Sequence, residues 1–169
     1  MSLRFRVRHV HKTIADYLEA ELADLGWVNE PVNCATVPMT FLEFQPDEAG
    51  KTIAANTVAI TLGDEPPALD IEMGDGLREI AFPVFVDVYG ANQSIAASIA
   101  SDIKSLLEDR YMPVLDFVTS ATGTPTSERI ELDKDDVSIE KPDAAAGAQD
   151  FRRFWRVVKT TARVHYIQD

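Results

Sequence analysis

Few side chains in this sequence could do chemistry, and they lie far apart. His9 and His11 alternate with Arg8 and Val10, a spacing that sets both imidazoles on one side of an extended strand. His165 falls in a second extended segment near the end of the chain. Three histidines beside a carboxylate can bind zinc or iron. Here there is no His-x-x-x-His spacing and no cysteine pair, and the neighbouring Arg4, Arg6 and Arg8 would repel a cation. Packed or solvated imidazoles are the expectation, with no metal and no cofactor. Cys34 is the lone cysteine, so an intrachain disulfide is impossible. As a nucleophile it would need a base and a lowered pKa, and no base is identifiable near it. Asp133, Asp135 and Asp136 hint at a calcium loop, yet the glycine and the closing glutamate of an EF-hand are missing. A solvated acidic turn is the plainer reading. Asp87 stands among apolar neighbours in a strand pattern; a buried carboxylate is costly unless paired, so an arginine partner or a subunit interface is expected for it. No Gly-x-Ser-x-Gly, P-loop or dinucleotide fingerprint occurs. The expectation is a protein that is not an enzyme.

The elements that would carry these residues can be read from periodicity. Thr13-x-x-Asp16 resembles a capping box, and Ile14, Leu18, Leu22 and Leu25 follow at helical spacing before Gly26. A helix over 13–25 is expected, preceded by a basic arm at 1–12. From 27 to 44, Pro31 and Pro38 break regularity, leaving short extended pieces and loops. Val58, Ile60 and Leu62 alternate, as do Leu69, Ile71 and Met73. Gly74-Asp75-Gly76 then predicts a hairpin whose return strand runs from about Leu77 to Tyr89, with Ile80, Phe82, Val84, Val86 and Val88 on one face. A second helix, capped near Asn92 and striped by Ile95, Ile99, Ile103, Leu106 and Leu107, should end near Tyr111 ahead of Pro113. A short strand at 114–119 is expected next. A hairpin follows, made by Ile130 and Leu132 before and Val137 and Ile139 after the acidic tip at Asp133-Lys134-Asp135-Asp136. Residues 141–150 read as a mobile loop, and 151–167 as one long final strand. The fold class is α+β: a mainly antiparallel sheet with two principal helices packed on one face, in a single domain over 1–169.

Composition bounds the rest. The chain has 169 residues, 46% hydrophobic and 26% charged, which suits a globular domain with a core of its own. Its net charge of −12 argues against holding nucleic acid, which calls for positive surface. The charge is uneven: residues 13–150 carry 27 acids against 7 bases, while the basic residues Arg4, Arg6, Arg8 and Lys12 gather at one end and Arg152, Arg153, Arg156, Lys159 and Arg163 at the other. Either the ends sit against acidic surface, on the same subunit or a neighbour, or two edge strands carry solvated cations. The longest strongly apolar tract, Ile80 to Val86, is far too short to span a bilayer and no signal-peptide pattern is present, so a soluble protein is expected.

Taken together, the early helix, the strand Ala81-Phe82-Pro83-Val84-Phe85-Val86-Asp87-Val88-Tyr89-Gly90, the helix from Asn92 to Arg110 and the late strand Phe154-Trp155-Arg156-Val157-Val158 resemble the tail terminator (tail-completion) proteins of long-tailed bacteriophages and prophages. The resemblance covers about 13–167 and rests on order and pattern; the segment 29–56 has no counterpart in it. It implies a structural virion protein, made in the host cytoplasm and placed at the head-proximal end of the tail. There it would form a homo-oligomeric ring, usually a hexamer, that ends polymerisation of the tail tube protein and offers a docking face to the head connector protein. DNA would pass through such a ring without specific binding, and no membrane would be involved. Charge and exposure, rather than family motifs, suggest Arg4, Arg6, Arg8, Asp133, Lys134, Asp135, Asp136, Arg152, Arg153 and Arg156 as contact residues. Two other readings stand beside this one: a head–tail joining or neck protein of the same virion, and a small α+β enzyme of unknown reaction.

Overall fold

The computed structural model describes residues 3–27, 32–35, 56–63, 70–74, 76–90, 92–142 and 154–167. Helix α1 spans Leu3–Leu22, and α2 spans Gln93–Leu107. The strands are β1 (Val32–Ala35), β2 (Asn56–Leu62), β3 (Asp70–Gly74), β4 (Leu77–Tyr89), β5 (Arg110–Asp116), β6 (Thr124–Leu132), β7 (Ser138–Glu140) and β8 (Trp155–Ile167). They form one sheet in the order β1-β2-β4-β8-β6-β5, with β3 added beside β4 and β7 beside β8. Every pairing is antiparallel except β1 with β2. This is the expected α+β class.

The two 13-residue strands β4 and β8 are the spine, paired in unbroken register from Leu77↔Ile167 to Tyr89↔Trp155. Alternation decides what each face meets. On β4, Ile80, Phe82, Val84, Val86 and Val88 are all buried, and on β8 so are Val158, Ala162, Val164 and Tyr166. Both helices pack on this apolar face. Helix α2 contributes Ile99, Ala100, Ile103, Leu106 and Leu107, with Asn92 capping it by accepting the Ile95 N–H at 2.9 Å. Helix α1 contributes Val10, Ile14, Ala15, Leu18 and Leu22.

The sheet curls, and α1 closes the gap between its edges. Among the described residues β1 pairs with β2 as far as Ala59; the next carbonyl, Ile60, accepts an N–H from His11 at 2.6 Å. At the opposite edge, Pro113 has no N–H to offer, and the Leu115 N–H donates to the Thr13 hydroxyl at 3.0 Å. A proline and a side-chain acceptor both blunt an edge that would otherwise template further strands.

Four sequence expectations change here. The basic arm is helical: α1 begins at Leu3, and Thr13 is a buried mid-helix residue bonded to β5 rather than a cap. The alternation that would set His9 and His11 on one side of an extended strand lies in a segment that also fits a helical stripe of Val7, Val10 and Ile14, and burial selects the second period. Helix α2 stops at Leu107, short of Tyr111; Asp109 turns the chain at φ 50°, and β5 then starts at Arg110 and runs through Pro113 on the sheet's edge, where a missing N–H is tolerated. Finally, β6 and β7 do not pair with each other. Both pair with β8, Leu132 opposite Ala162 and Ser138 opposite Lys159. The acidic stretch is a short 3-10 turn, Lys134–Asp136, that interrupts one course along β8 rather than the tip of a hairpin. The expected loop at 141–150 lies outside the described residues beyond Pro142.

Candidate interaction surface

The sheet face opposite the helices carries His165 and Asp87 and is bordered by the acidic turn at 133–136. On β8 the outward row includes Trp155, Lys159, Arg163 and His165, and acids on the neighbouring strands answer it. Lys159 pairs with Glu140 of β7. Arg163 meets Asp136 at 3.0 Å and Asp133 at 3.7 Å. His165 Nε2 lies 2.8 Å from Glu79 of β4 and 3.6 Å from Glu131 of β6. Each pair is partly exposed and of small individual worth, about 1 kcal/mol or less. Together they show that Lys159 and Arg163, of the basic end of the chain, find their acids on the same subunit, across the sheet.

The hint of a calcium loop dissolves in this geometry. One oxygen of Asp133 caps the short turn by accepting the Asp135 N–H at 3.0 Å, while Asp136 is held by the Arg163 guanidinium. Among the described residues no group of three or more His, Cys, Asp or Glu is arranged to hold a metal ion. Cys34 lies in β1, opposite Val58. The histidines separate: His11 seals a sheet edge, His165 sits in the outer ionic row, and His9 is buried 3.7 Å from Asp116 with its ring edge-on to Phe117. Burial holds the His11 imidazole below its usual pKa, with its hydrogen bond to Ile60 acting in the opposite sense.

Among the described residues the partner of Asp87 is an indole rather than an arginine. Trp155 Nε1 donates to its Oδ1 at 2.9 Å, and the Trp155 ring stacks on Tyr89 with centroids 5.7 Å apart. Burial pushes the Asp87 carboxyl above its ordinary value, the Trp155 hydrogen bond offsetting part of this; Tyr89 is pushed up by burial and then by the Asp87 charge. A carboxyl whose folded pKa is raised stabilises the fold only while protonated, so its contribution is present below the unfolded value of about 3.9 and lost as pH rises through the folded value. Asp87→Asn keeps an acceptor for the indole and removes the ionised form. The expected result is a variant more stable than the parent at neutral pH. The difference should shrink to nothing in acid, as read by denaturant midpoints across a pH series.

Of the other contact residues expected from sequence, Arg156 is buried, and its guanidinium donates to the Trp155 carbonyl at 2.8 Å. It belongs to the interior rather than to an exposed surface. Arg4 and Arg6 lie in α1, their side chains outside the described set, as are Arg152 and Arg153 altogether. Lys134 is exposed on the 3-10 turn. Arg8 is exposed at the mouth of a cleft of about 260 Å³ that it lines with His9, Lys12, Phe117 and Val118. Sequence reasoning missed Phe117 and Val118, because it ran a strand through them instead of ending one at Asp116. Lys12 sits 4.4 Å from the Phe117 ring centroid and is bonded to Asp16 at 3.0 Å. Asp116 is taken up by His9 and by the Val118 N–H at 2.8 Å. Arg8 has no acidic partner among the described residues.

This arrangement defines an α+β sheet with both described helices on one face, outer polar groups largely paired with one another, and a cleft lined by Arg8, Lys12 and His9 together with Phe117 and Val118. No family model matches the chain, and the search of curated proteins gives no match. Among the described residues no helix is long and apolar enough to cross a membrane.

Proposed function

We propose that the chain is a structural assembly subunit of the tail terminator kind: it forms a homo-oligomeric ring, six-membered as in the proteins it resembles, that ends growth of a phage tail tube and presents a face to the head connector. The observation that carries this reading is the arrangement of its elements. An N-terminal helix, the long strand at 77–89, the helix at 93–107 and the long strand at 155–167 stand in the order on which the resemblance rests, with both helices on one face of the sheet. The charge of −12 per chain suits a ring through which DNA moves without sticking, because like charges repel across a Debye length of about 8 Å.

Size-exclusion chromatography with light scattering, followed by negative-stain electron microscopy, tests the reading. The expected result is a closed ring of six times the chain mass, favoured by rising protein concentration. A monomer at every concentration and salt strength overturns it.

A further inference from the structure

The ring reading leaves open which surfaces meet, and the two ends of β5 supply an answer. At its C-terminal end lies the cleft, with Arg8 at the mouth and the Phe117 ring and the exposed Val118 as its apolar wall. At its N-terminal end, Asp109 is exposed on the turn leaving α2, and Tyr111 is 64% exposed. Asp109 has no basic partner among the described residues, just as Arg8 has no acidic one. Arg110, between Asp109 and Tyr111, is turned back onto its own chain, its Nε donating to the Leu106 carbonyl at 3.2 Å and its guanidinium over the Tyr17 ring.

Helix α1 fixes the two patches at opposite ends of one rigid unit. Thr13 bonds to Leu115 and Lys12 covers Phe117, whereas Tyr17, further along the helix, reaches Leu106 and Arg110. Helix and strand therefore run antiparallel, and the patches are separated by roughly 20 Å of extended chain. One patch is a cation without an acidic partner among the described residues, beside an aromatic and apolar wall; the other is a carboxylate without a basic partner among them, beside an exposed aromatic ring. Two different, complementary patches on one subunit make a head-to-tail contact, which closes into a ring when the rotation between neighbours allows. A self-matched contact would stop at a dimer.

We infer that neighbouring copies of this chain join head to tail, the Asp109–Tyr111 end of one docking in the Arg8–Phe117–Val118 cleft of the next. This inference rests on the ring reading above and names its contact. Exposed aromatic side chains and unpaired charges of opposite sign are the residue types that carry affinity and fix register at such contacts.

Charge reversal tests it on the full-length chain. Arg8→Asp and Asp109→Arg each set like charges across the contact, and each is expected to weaken assembly roughly tenfold or more in concentration, as Tyr111→Ser would by removing the aromatic anchor. Far-ultraviolet circular dichroism should stay that of the parent, since all three positions are exposed. Thermal midpoints should fall by the share of stability that assembly supplies, with a further small loss for Asp109→Arg at its positive φ, and should match the parent's at dilutions where the parent too is monomeric. The decisive measurement is rescue. The double variant R8D/D109R, and an equimolar mixture of the two single variants, restore opposite charges at every junction and should recover the ring. In the mixture the two chains must alternate, which an even-numbered ring permits. If the parent forms rings and the single variants assemble equally well, or if the double variant and the mixture fail to recover, this contact is wrong while the ring reading stands. If the parent itself never assembles, the ring reading falls and the contact with it.

Discussion

Leu18→Ala is expected to cost about 2–5 kcal/mol of folding stability, whereas Leu25→Ala, about two helical turns further on, should cost less than about 0.5 kcal/mol. Both leucines belong to the same apolar stripe by spacing. Leu18 is fully buried between α1 and the sheet, and truncating it removes its contacts with the core and leaves a cavity the surrounding strands cannot fully close. Leu25 is 55% exposed. The cause is local: α1 ends at Leu22, and the chain widens into a π-type turn over Ala23–Trp27 in which Gly26 takes φ 95°. That kink swings the last leucine off the core and brings Trp27 onto α2, where its Nε1 donates to Asp102 at 2.9 Å. Urea unfolding of the three proteins checks the pair. The expected Leu18→Ala loss corresponds to a fall in thermal midpoint of about 10 °C in a chain of this size. Equal losses for the two substitutions would mean that the helix continues through Gly26 and buries Leu25.

The leucine pair also marks what sequence could and could not reveal. Where a side-chain period runs uninterrupted and only one secondary structure satisfies it, the reading holds to the residue: Ile80 to Val88 alternate without exception, and β4 spans Leu77–Tyr89 with those residues inside. The stripe from Ile99 to Leu107 and its Asn92 cap behave likewise. Where two periods fit, tertiary burial chooses. The segment Arg4 to His11 satisfies both strand and helix, and it is helical because only a helix can lay Val10 and Ile14 on the sheet while sending His11 to one sheet edge and Thr13 to the other. Pro113 misled in the opposite direction. A proline does end a helix, but on an edge strand it is harmless, so the strand begins three residues before it. The acidic 133–136 turn looked solvated because its partner, Arg163, lies 27 residues away on a strand that local reasoning could not place beside it. Charge pairing of this kind is set by topology. The uneven distribution of bases and acids was visible from the start; that β8 threads its bases between acidic neighbours on the same subunit was not.

The second large effect is expected at Gly90, where Gly90→Val should destabilise the fold by about 3 kcal/mol or more. Gly90 follows β4 and precedes α2, and its N–H donates to the Phe154 carbonyl at 3.0 Å, locking the end of the sheet's spine. A Cβ at this position would stand 2.5 Å from the Ala96 backbone nitrogen and 2.8 Å from its Cα. Those atoms belong to the first turns of α2, whose own hydrogen bonds hold them in place: the Ala96 N–H donates to the Asn92 carbonyl at 3.0 Å. No rotamer change can relieve a clash with backbone, so the helix must shift as a body. Such a shift would carry Ala96, Ile99 and Ala100, all fully buried, away from the strands they cover. Gly26 provides the contrast. It also resists substitution, but only through its positive φ, since a Cβ there meets nothing within 4 Å; Gly26→Ala should cost about 1 kcal/mol. Thermal midpoints separate the two mechanisms. The Gly90→Val fall should be roughly 6–12 °C, and enlarging the side chain from Ala to Val at Gly90 should deepen it, while at Gly26 the unbranched series from Ala to Met should change little after the first carbon, because nothing lies within 4 Å to meet it. A Gly90→Val protein as stable as the parent would mean that α2 does not approach the end of β4 this closely, and would remove the positional anchor on which the one-sided packing of the helix depends.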